Sequence, residues 1–207
     1  MYTFETDSLG VAWLNAMKLI MSCGEEINDD NRKLKEIRNL YITIQSVSEK
    51  DSIITKYADK KRIALMKEKY ATCGLVGDYK IDYGSYIYDN NGINQINWVR
   101  DRILNKTETK SATITLHHPG EEMLACLSLL DFKLRRNRLN MNVVYRSQNI
   151  YSSHPGNLIA LRRIQEDLAK ELNVSIGYIE LIVMSAHIYS EDYMNAKQIL
   201  LSEKILN

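Results

Sequence analysis

Ala125-Cys126-Leu-Ser-Leu-Leu-Asp131-Phe132, then Leu139-Asn-Met-Asn-Val-Val-Tyr145, then Arg146-Ser147-Gln148-Asn149, is the stretch on which the fold turns. Apolar residues recur there at the two-residue period of half-buried strands, so Met123–Leu134 and Leu139–Tyr145 read as two strands. The basic turn Arg135-Arg136-Asn137-Arg138 joins them. A lone cysteine, Cys126, thereby sits on an apolar strand, and a polar run, Arg146 to Asn149, leaves its partner strand ahead of Pro155-Gly156-Asn157. No other part of the chain brings so many polar groups so close to apolar strands.

Working outward, Pro155 suits the first turn of a helix that runs to about Leu172 on a Leu158, Leu161, Ile164, Leu168 face, with Asn173 at its end. Ile176–Ile188 reads as a strand and Glu191–Lys204 as a terminal helix. Upstream, Ser8–Cys23 has helical spacing and ends at Gly24, Ile37–Ile44 alternates as a strand, and Ala58–Thr72 returns to helical spacing. A Tyr- and Gly-rich stretch, Asp78–Gly92, precedes a helix over Ile93–Leu104, with Ile93, Ile96, Val99, Ile103 and Leu104 on one face, and a strand over Ala112–Leu116. Pro119 marks a turn. The sum is an α+β fold, a single domain over 1–207 with one mixed, mainly antiparallel sheet and helices packed on it.

The 207 residues carry 27 Lys and Arg against 26 Asp and Glu, a formal charge of +1, with 45% hydrophobic and 26% charged residues. This composition excludes general disorder. It also excludes a whole-molecule field for a nucleic acid polymer, so anion binding has to come from a local cluster. Cys23, Cys73 and Cys126 are an odd number without a CxxC, which points to a reducing, cytoplasmic compartment. The first ten residues lack a basic segment before an apolar run, and no stretch approaches the length of a membrane span, so neither signal peptide nor membrane association is expected. His117 and His118, with His154 and Glu121, could suggest a metal, but neighbours on a strand face opposite ways, and no metal site is expected. Cys23 and Cys73 read as helix-core thiols, and Tyr79, Tyr83, Tyr86 and Tyr88 as half-buried residues.

The order Cys126, Arg146-Ser147, Pro155-Gly156-Asn157, His187-Ile188-Tyr189 resembles the catalytic half of the thymidylate synthase family, including its spacing. Arg146 follows Cys126 by 20 residues, and Asn157 and His187 follow Arg146 by 11 and 41. Tyr83-Gly84, Ile93-Asn94-Gln95-Ile96 and Glu36-Ile37-Arg38-Asn39-Leu40 are similar to upstream segments of the family's short, archaeal-type members. The resemblance implies one-carbon transfer from 5,10-methylenetetrahydrofolate to C5 of a pyrimidine nucleoside monophosphate, by a transferase of nucleotide biosynthesis acting as a homodimer. It makes Cys126 the nucleophile at C6, and puts Arg146 and Ser147 on the phosphate and Asn157 on the base. His187 and Tyr189 take the sugar hydroxyl, and Tyr83 joins the proton network around C5. These roles suit the residue types. A thiolate adds to an electron-poor ring, a guanidinium fork suits phosphate, and an amide complements the donor and acceptor edge of uracil.

Three departures from the family pattern stand beside the matches. Leu127 replaces a His after the nucleophile, Asn149 replaces the carboxylate that binds the pterin, and Lys110-Ser111 replaces a pair of arginines that reach the phosphate across the dimer. Glu68 and Arg32 are candidates for two further family positions. The leading expectation is methylation of dUMP, with hydroxymethylation of UMP, dUMP, CMP or dCMP as the runner-up. Two alternatives stay open: a non-catalytic nucleotide-binding paralogue, and a thiol hydrolase using Cys126, His187 and Asn149.

Overall fold

In chain order the computed structural model has β1 (Tyr2–Ser8), α1 (Leu9–Cys23), β2 (Glu25–Asp29), β3 (Arg32–Ser46), α2 (Ser52–Tyr57), α3 (Lys60–Ala71), α4 (Tyr83–Tyr88) and α5 (Gln95–Asn105). There follow β4 (Thr113–Thr115), β5 (Leu127–Arg135), β6 (Arg138–Tyr145), β7 (Gln148–Asn149), α6 (His154–Glu171), β8 (Ser175–Tyr189), a short 3-10 turn and α7 (Tyr193–Ser202). Residues 1–118 and 120–205 are described, so the turn expected at Pro119 lies outside them.

Local chemistry sets the helix limits. The Ser8 hydroxyl accepts from the Val11 N–H at the start of α1. The helix expected over 58–72 begins instead at Lys60 and follows a separate α2, because Asp51 caps one and Asp59 the other. Gly84 is needed for close approach: a Cβ there would lie 1.9 Å from the Thr72 carbonyl oxygen. Ile96, Val99 and Ile103 of α5 are buried as expected, but Ile93 and Leu104 are exposed, because the helix starts at Gln95 and Leu104 falls off the buried stripe. Cys23 and Cys73 are exposed, not core. Cys23 ends α1, and Cys73 lies past the end of α3.

The α+β reading holds. The strands form one sheet in the order β1-β3-β8-β6-β5-β4, with β2 added on β3 and β7 on β8. The β1–β3, β6–β8 and β7–β8 pairs are parallel and the others antiparallel, so the sheet is mixed. Leu40, Ile42 and Ile44 of β3 join Ile179, Leu181 and Val183 of β8 in a buried core that also takes in Leu9, Met17 and Ile20 of α1 and Leu158, Leu161, Ile164 and Leu168 of α6.

One row across the sheet positions the site. Leu127, Tyr145, Val183 and Leu40 are paired in register across β5, β6, β8 and β3. One residue further along, regular pairing breaks: Asn39 takes a left-handed φ of 58°, and its facing position Met184 has no ladder partner among the described residues. Cys126 and Arg146 occupy this broken row, with the Arg146 N–H donating to the Cys126 carbonyl at 2.9 Å. Beyond the break the buried phase of β8 shifts from Val183 to Ala186 and Ile188, and His187 and Tyr189 turn to the cavity.

Candidate active site

A cavity of about 740 Å³ opens at this break. Cys126, Tyr83, Arg146, Ser147, Asn149, Asn157, His187 and Tyr189 all line it. Lys110, which is exposed, is the one of these expected site residues that lies outside the lining.

The segment before Cys126 is held by side chains and not by a ladder. β5 begins at Leu127, not at Met123, because Arg146 Nε and Nη2 donate to the carbonyls of Ala125 and Leu124 at 3.0 and 2.7 Å. The guanidinium thus clamps the turn that presents the cysteine and keeps its remaining donors for a ligand. His117, which follows β4 rather than lying on a strand, adds a contact from Nε2 to the Ala125 oxygen at 2.9 Å. On the other side the Tyr83 hydroxyl accepts from the N–H groups of Cys126 (3.1 Å) and Leu127 (3.3 Å). Tyr83 is almost wholly buried, and burial, then the nearby Cys126, pushes its hydroxyl well above the usual tyrosine range. Tyr70 meets Tyr83 edge to face with centroids 5.0 Å apart, and its hydroxyl bonds to that of Tyr145 at 2.6 Å.

The far wall comes from β7, α6 and β8. Ser147 Oγ lies 3.4 Å from His187 Nδ1, and the His187 ring stands edge to face with Tyr189. Burial lowers the His187 pKa, so the ring is neutral at pH 7. Asn149 Oδ1 accepts from the Ser152 N–H at 3.1 Å, which leaves the amide NH₂ free for a ligand. His187 and Asn149 therefore spend their bonds on serines, and neither bonds to the other as base and orienter of a thiol hydrolase. Asn157 is 7% exposed, and its amide makes no hydrogen bond among the described residues, an arrangement that a bound polar edge would complete. Behind this wall, His154 Nδ1 contacts Gln148 Oε1 at 2.9 Å. Glu121 accepts from the His118 N–H at 3.2 Å, but no cluster able to hold a metal ion occurs among the described residues.

Of the two other candidates, Arg32 lines the cavity, with its guanidinium 3.5 Å over the Tyr189 ring and paired with Glu191. Glu68 is exposed and outside it. Its neighbour in sequence, Lys69, is 7% exposed and lines the cavity with Arg62 and Tyr79, three residues to which the sequence reading gave no role in the site. The available signal was a basic residue on the buried stripe of α3, three after Met66 and beside Tyr70.

No helix among the described residues is long and apolar enough to cross a membrane. Residues 14–205 match the family profile described as thymidylate synthase. A protein of Methanothermobacter marburgensis named "Putative thymidylate synthase" is 27% identical, over 96% of this chain and 98% of its own length. Proteins of the same name from Methanothermobacter thermautotrophicus and Methanococcoides burtonii are 28% and 24% identical, over 96% and 91% of this chain and 98% and 90% of theirs. A match over nearly the whole length, together with the cavity that gathers the spaced residues, establishes the point: the chain belongs to the thymidylate synthase family.

Proposed function

We propose that the protein transfers a one-carbon unit from methylenetetrahydrofolate to C5 of a pyrimidine nucleoside monophosphate, with dUMP methylated to dTMP. The observation that carries this reading is the convergence of Cys126, Arg146, Asn157, His187 and Tyr189 on one cavity from separate elements. Cys126 adds through sulfur to C6, which makes C5 electron-rich. Arg146 and Ser147 take the phosphate with the donors left over from the clamp, and Lys110 reaches the phosphate of a second subunit. The unpartnered Asn157 amide takes the N3–H and O4 of uracil, and His187 and Tyr189 hold the sugar hydroxyl.

The cavity also suits the folate. Its volume lies within the range of ligand pockets, roughly 300–1,000 Å³, and Tyr151 and Pro155 line it together with Asn149. Bound methylenetetrahydrofolate supplies the one-carbon unit and, for methylation, the hydride. Asn149 meets the pterin with one neutral amide. A homodimer belongs to the same reading: α1 and α6 pack on one face of the sheet, while the alternation leaves Tyr41 and Met184 exposed on the other.

Incubation with methylenetetrahydrofolate and each of dUMP, UMP, dCMP and CMP tests the proposal. Formation of dihydrofolate with a methylated dUMP product is expected. A hydroxymethylated nucleotide without dihydrofolate would replace methylation by hydroxymethylation. Tight nucleotide binding without turnover would make the chain a binding paralogue.

A further inference from the structure

The side of the cavity built by α3 and the segment after it holds a cation that the family reading leaves without a task. Lys69 is only 7% exposed, and its Nζ lies 3.9 Å from the Tyr79 ring centroid and 3.8 Å from that of Tyr83. Two aromatic faces hold the ammonium by cation–π attraction. They accept no conventional hydrogen bond, and Lys69 makes none among the described residues, so its N–H donors remain unspent at the cavity wall. The Tyr83 ring that carries the ammonium is the one whose hydroxyl meets the Cys126 N–H at 3.1 Å. The free donors of Lys69 and the sulfur of Cys126 therefore face one space.

We propose that Lys69 is a catalytic residue that donates to the pyrimidine carbonyl oxygen which gains negative charge when Cys126 adds to the ring. The proposal rests on the reading of the site given above. In the step, the sulfur–C6 bond forms as the C5–C6 π pair shifts toward C4 and the C4 carbonyl pair moves onto oxygen. A Lys69 proton is shared with that oxygen, and returns when the sulfur leaves. A buried donor aimed at a developing oxyanion stabilises the charged state more than the ground state.

Titration of the surroundings agrees with this assignment. Burial lowers Lys69 to about 8, and the nearby Cys126 partly opposes that shift while Arg62 adds to it. The group is thus mainly protonated at pH 7 yet able to release its proton. Tyr70 from α3 itself, Tyr79 and Tyr83 against the ammonium, and Tyr145 from β6 are all pushed upward by burial and stay neutral in that range. His187 of β8 is pushed downward by burial and is also neutral.

The test uses the full chain with dUMP and no folate. Exchange of the C5 proton with solvent deuterium is followed by NMR, alongside equilibrium binding of dUMP. Lys69→Met is expected to slow exchange at saturating nucleotide by ~100-fold or more, with the dissociation constant within about threefold of the unchanged protein. In the unchanged protein exchange is expected to fall above about pH 8, where Lys69 loses its proton, and Lys69→Arg, which cannot lose its charge, is expected to restore part of the rate and to remove that fall. It also keeps the test valid if the Met variant folds poorly. Exchange by Lys69→Met within threefold of wild type overturns the assignment. So does weakened binding with unchanged exchange, which would place Lys69 on the phosphate. Absence of exchange in the wild type itself would overturn the one-carbon reading of the site, and this inference with it.

Discussion

The two walls of the cavity are built on different principles. On the strand wall, from Cys126 to Tyr189, three side chains besides the unpartnered Asn157 are held by bonds to the protein that still leave donors over: Arg146 to two carbonyls, Ser147 to His187, Asn149 to Ser152. The helix wall, from Arg62 to Tyr83, holds Lys69 between two rings with its donors unspent. The contrast teaches that the strand wall fixes position before it binds, whereas the helix wall offers a cation held by no hydrogen bond among the described residues. Bonds to backbone fix a group within a fraction of an ångström, whereas a cation on aromatic faces keeps its hydrogen-bonding capacity for a ligand.

The sharpest way to break this comparison is to remove the one reactive atom. Cys126→Ser is expected to lower dihydrofolate formation by ~1,000-fold or more, since an alcohol at this position lacks an activating base, while nucleotide binding and the melting temperature stay close to wild type. Retention of more than a tenth of the turnover would sink the covalent mechanism.

Acid stability probes the ground behind the strand wall. His154 is fully buried, with its pKa pushed down by burial to about 3, and Nε2 has no partner among the described residues. In the unfolded chain the ring titrates near 6.5. The group is neutral in both states above that value. Between pH 6.5 and 3 only the unfolded chain takes up the proton, so stability falls as pH drops, by about 1.4 kcal/mol per pH unit at most from this group. His187, also lowered by burial, acts in the same direction. Urea unfolding at pH 7 and pH 5 measures the slope, and His154→Gln should flatten it.

A smaller effect is expected where the two walls meet. Tyr83→Phe removes the oxygen that accepts from the Cys126 and Leu127 N–H groups. Two nearly buried donors left without a partner should cost about 1–3 kcal/mol in chemical denaturation, together with slower alkylation or exchange at Cys126. Unchanged stability would show that another acceptor takes over. The smallest effect belongs to Glu68→Gln. This side chain is exposed and outside the cavity, so turnover should stay within about twofold and stability within ~0.5 kcal/mol. A large loss of turnover there would mean that the helix wall has been assigned to the wrong face of α3.

Legibility followed the strength of the local pattern. The alternation of Leu130, Phe132 and Leu134 against Leu139, Met141 and Val143 gave the central hairpin, and all six residues are buried. The Leu158, Leu161, Ile164, Leu168 stripe gave α6 for the same reason. β2 carried one partly buried apolar residue, Ile27, and its pairing depends on the turn at Asp30 and Asn31, both with positive φ, a hairpin signal that passed unread. β1 does alternate, with Tyr2, Phe4 and Thr6, but its partner is a parallel strand some forty residues away that local spacing cannot reveal. In the site, the spaced motif from Cys126 to Tyr189 was readable through its resemblance to the family pattern, whose order and intervals it keeps. Lys69 was not. A lysine among other charged residues of α3 looks like solvated surface until the tyrosines of the following segment fold over it.

By itself the sequence determined the α+β class, the central hairpin, the long amphipathic helix and the set of polar residues spaced along the second half. These rest on side-chain period and on interval, which are properties of neighbours in the chain. Only the tertiary structure decided that Arg146 clamps the turn before Cys126, that Glu68 faces solvent while Lys69 faces the cavity, and that the sheet breaks its pairing in the row that holds the cysteine. Those outcomes depend on which groups compete for the same carbonyl, ring face or ladder position, and that competition begins only once distant segments are packed together.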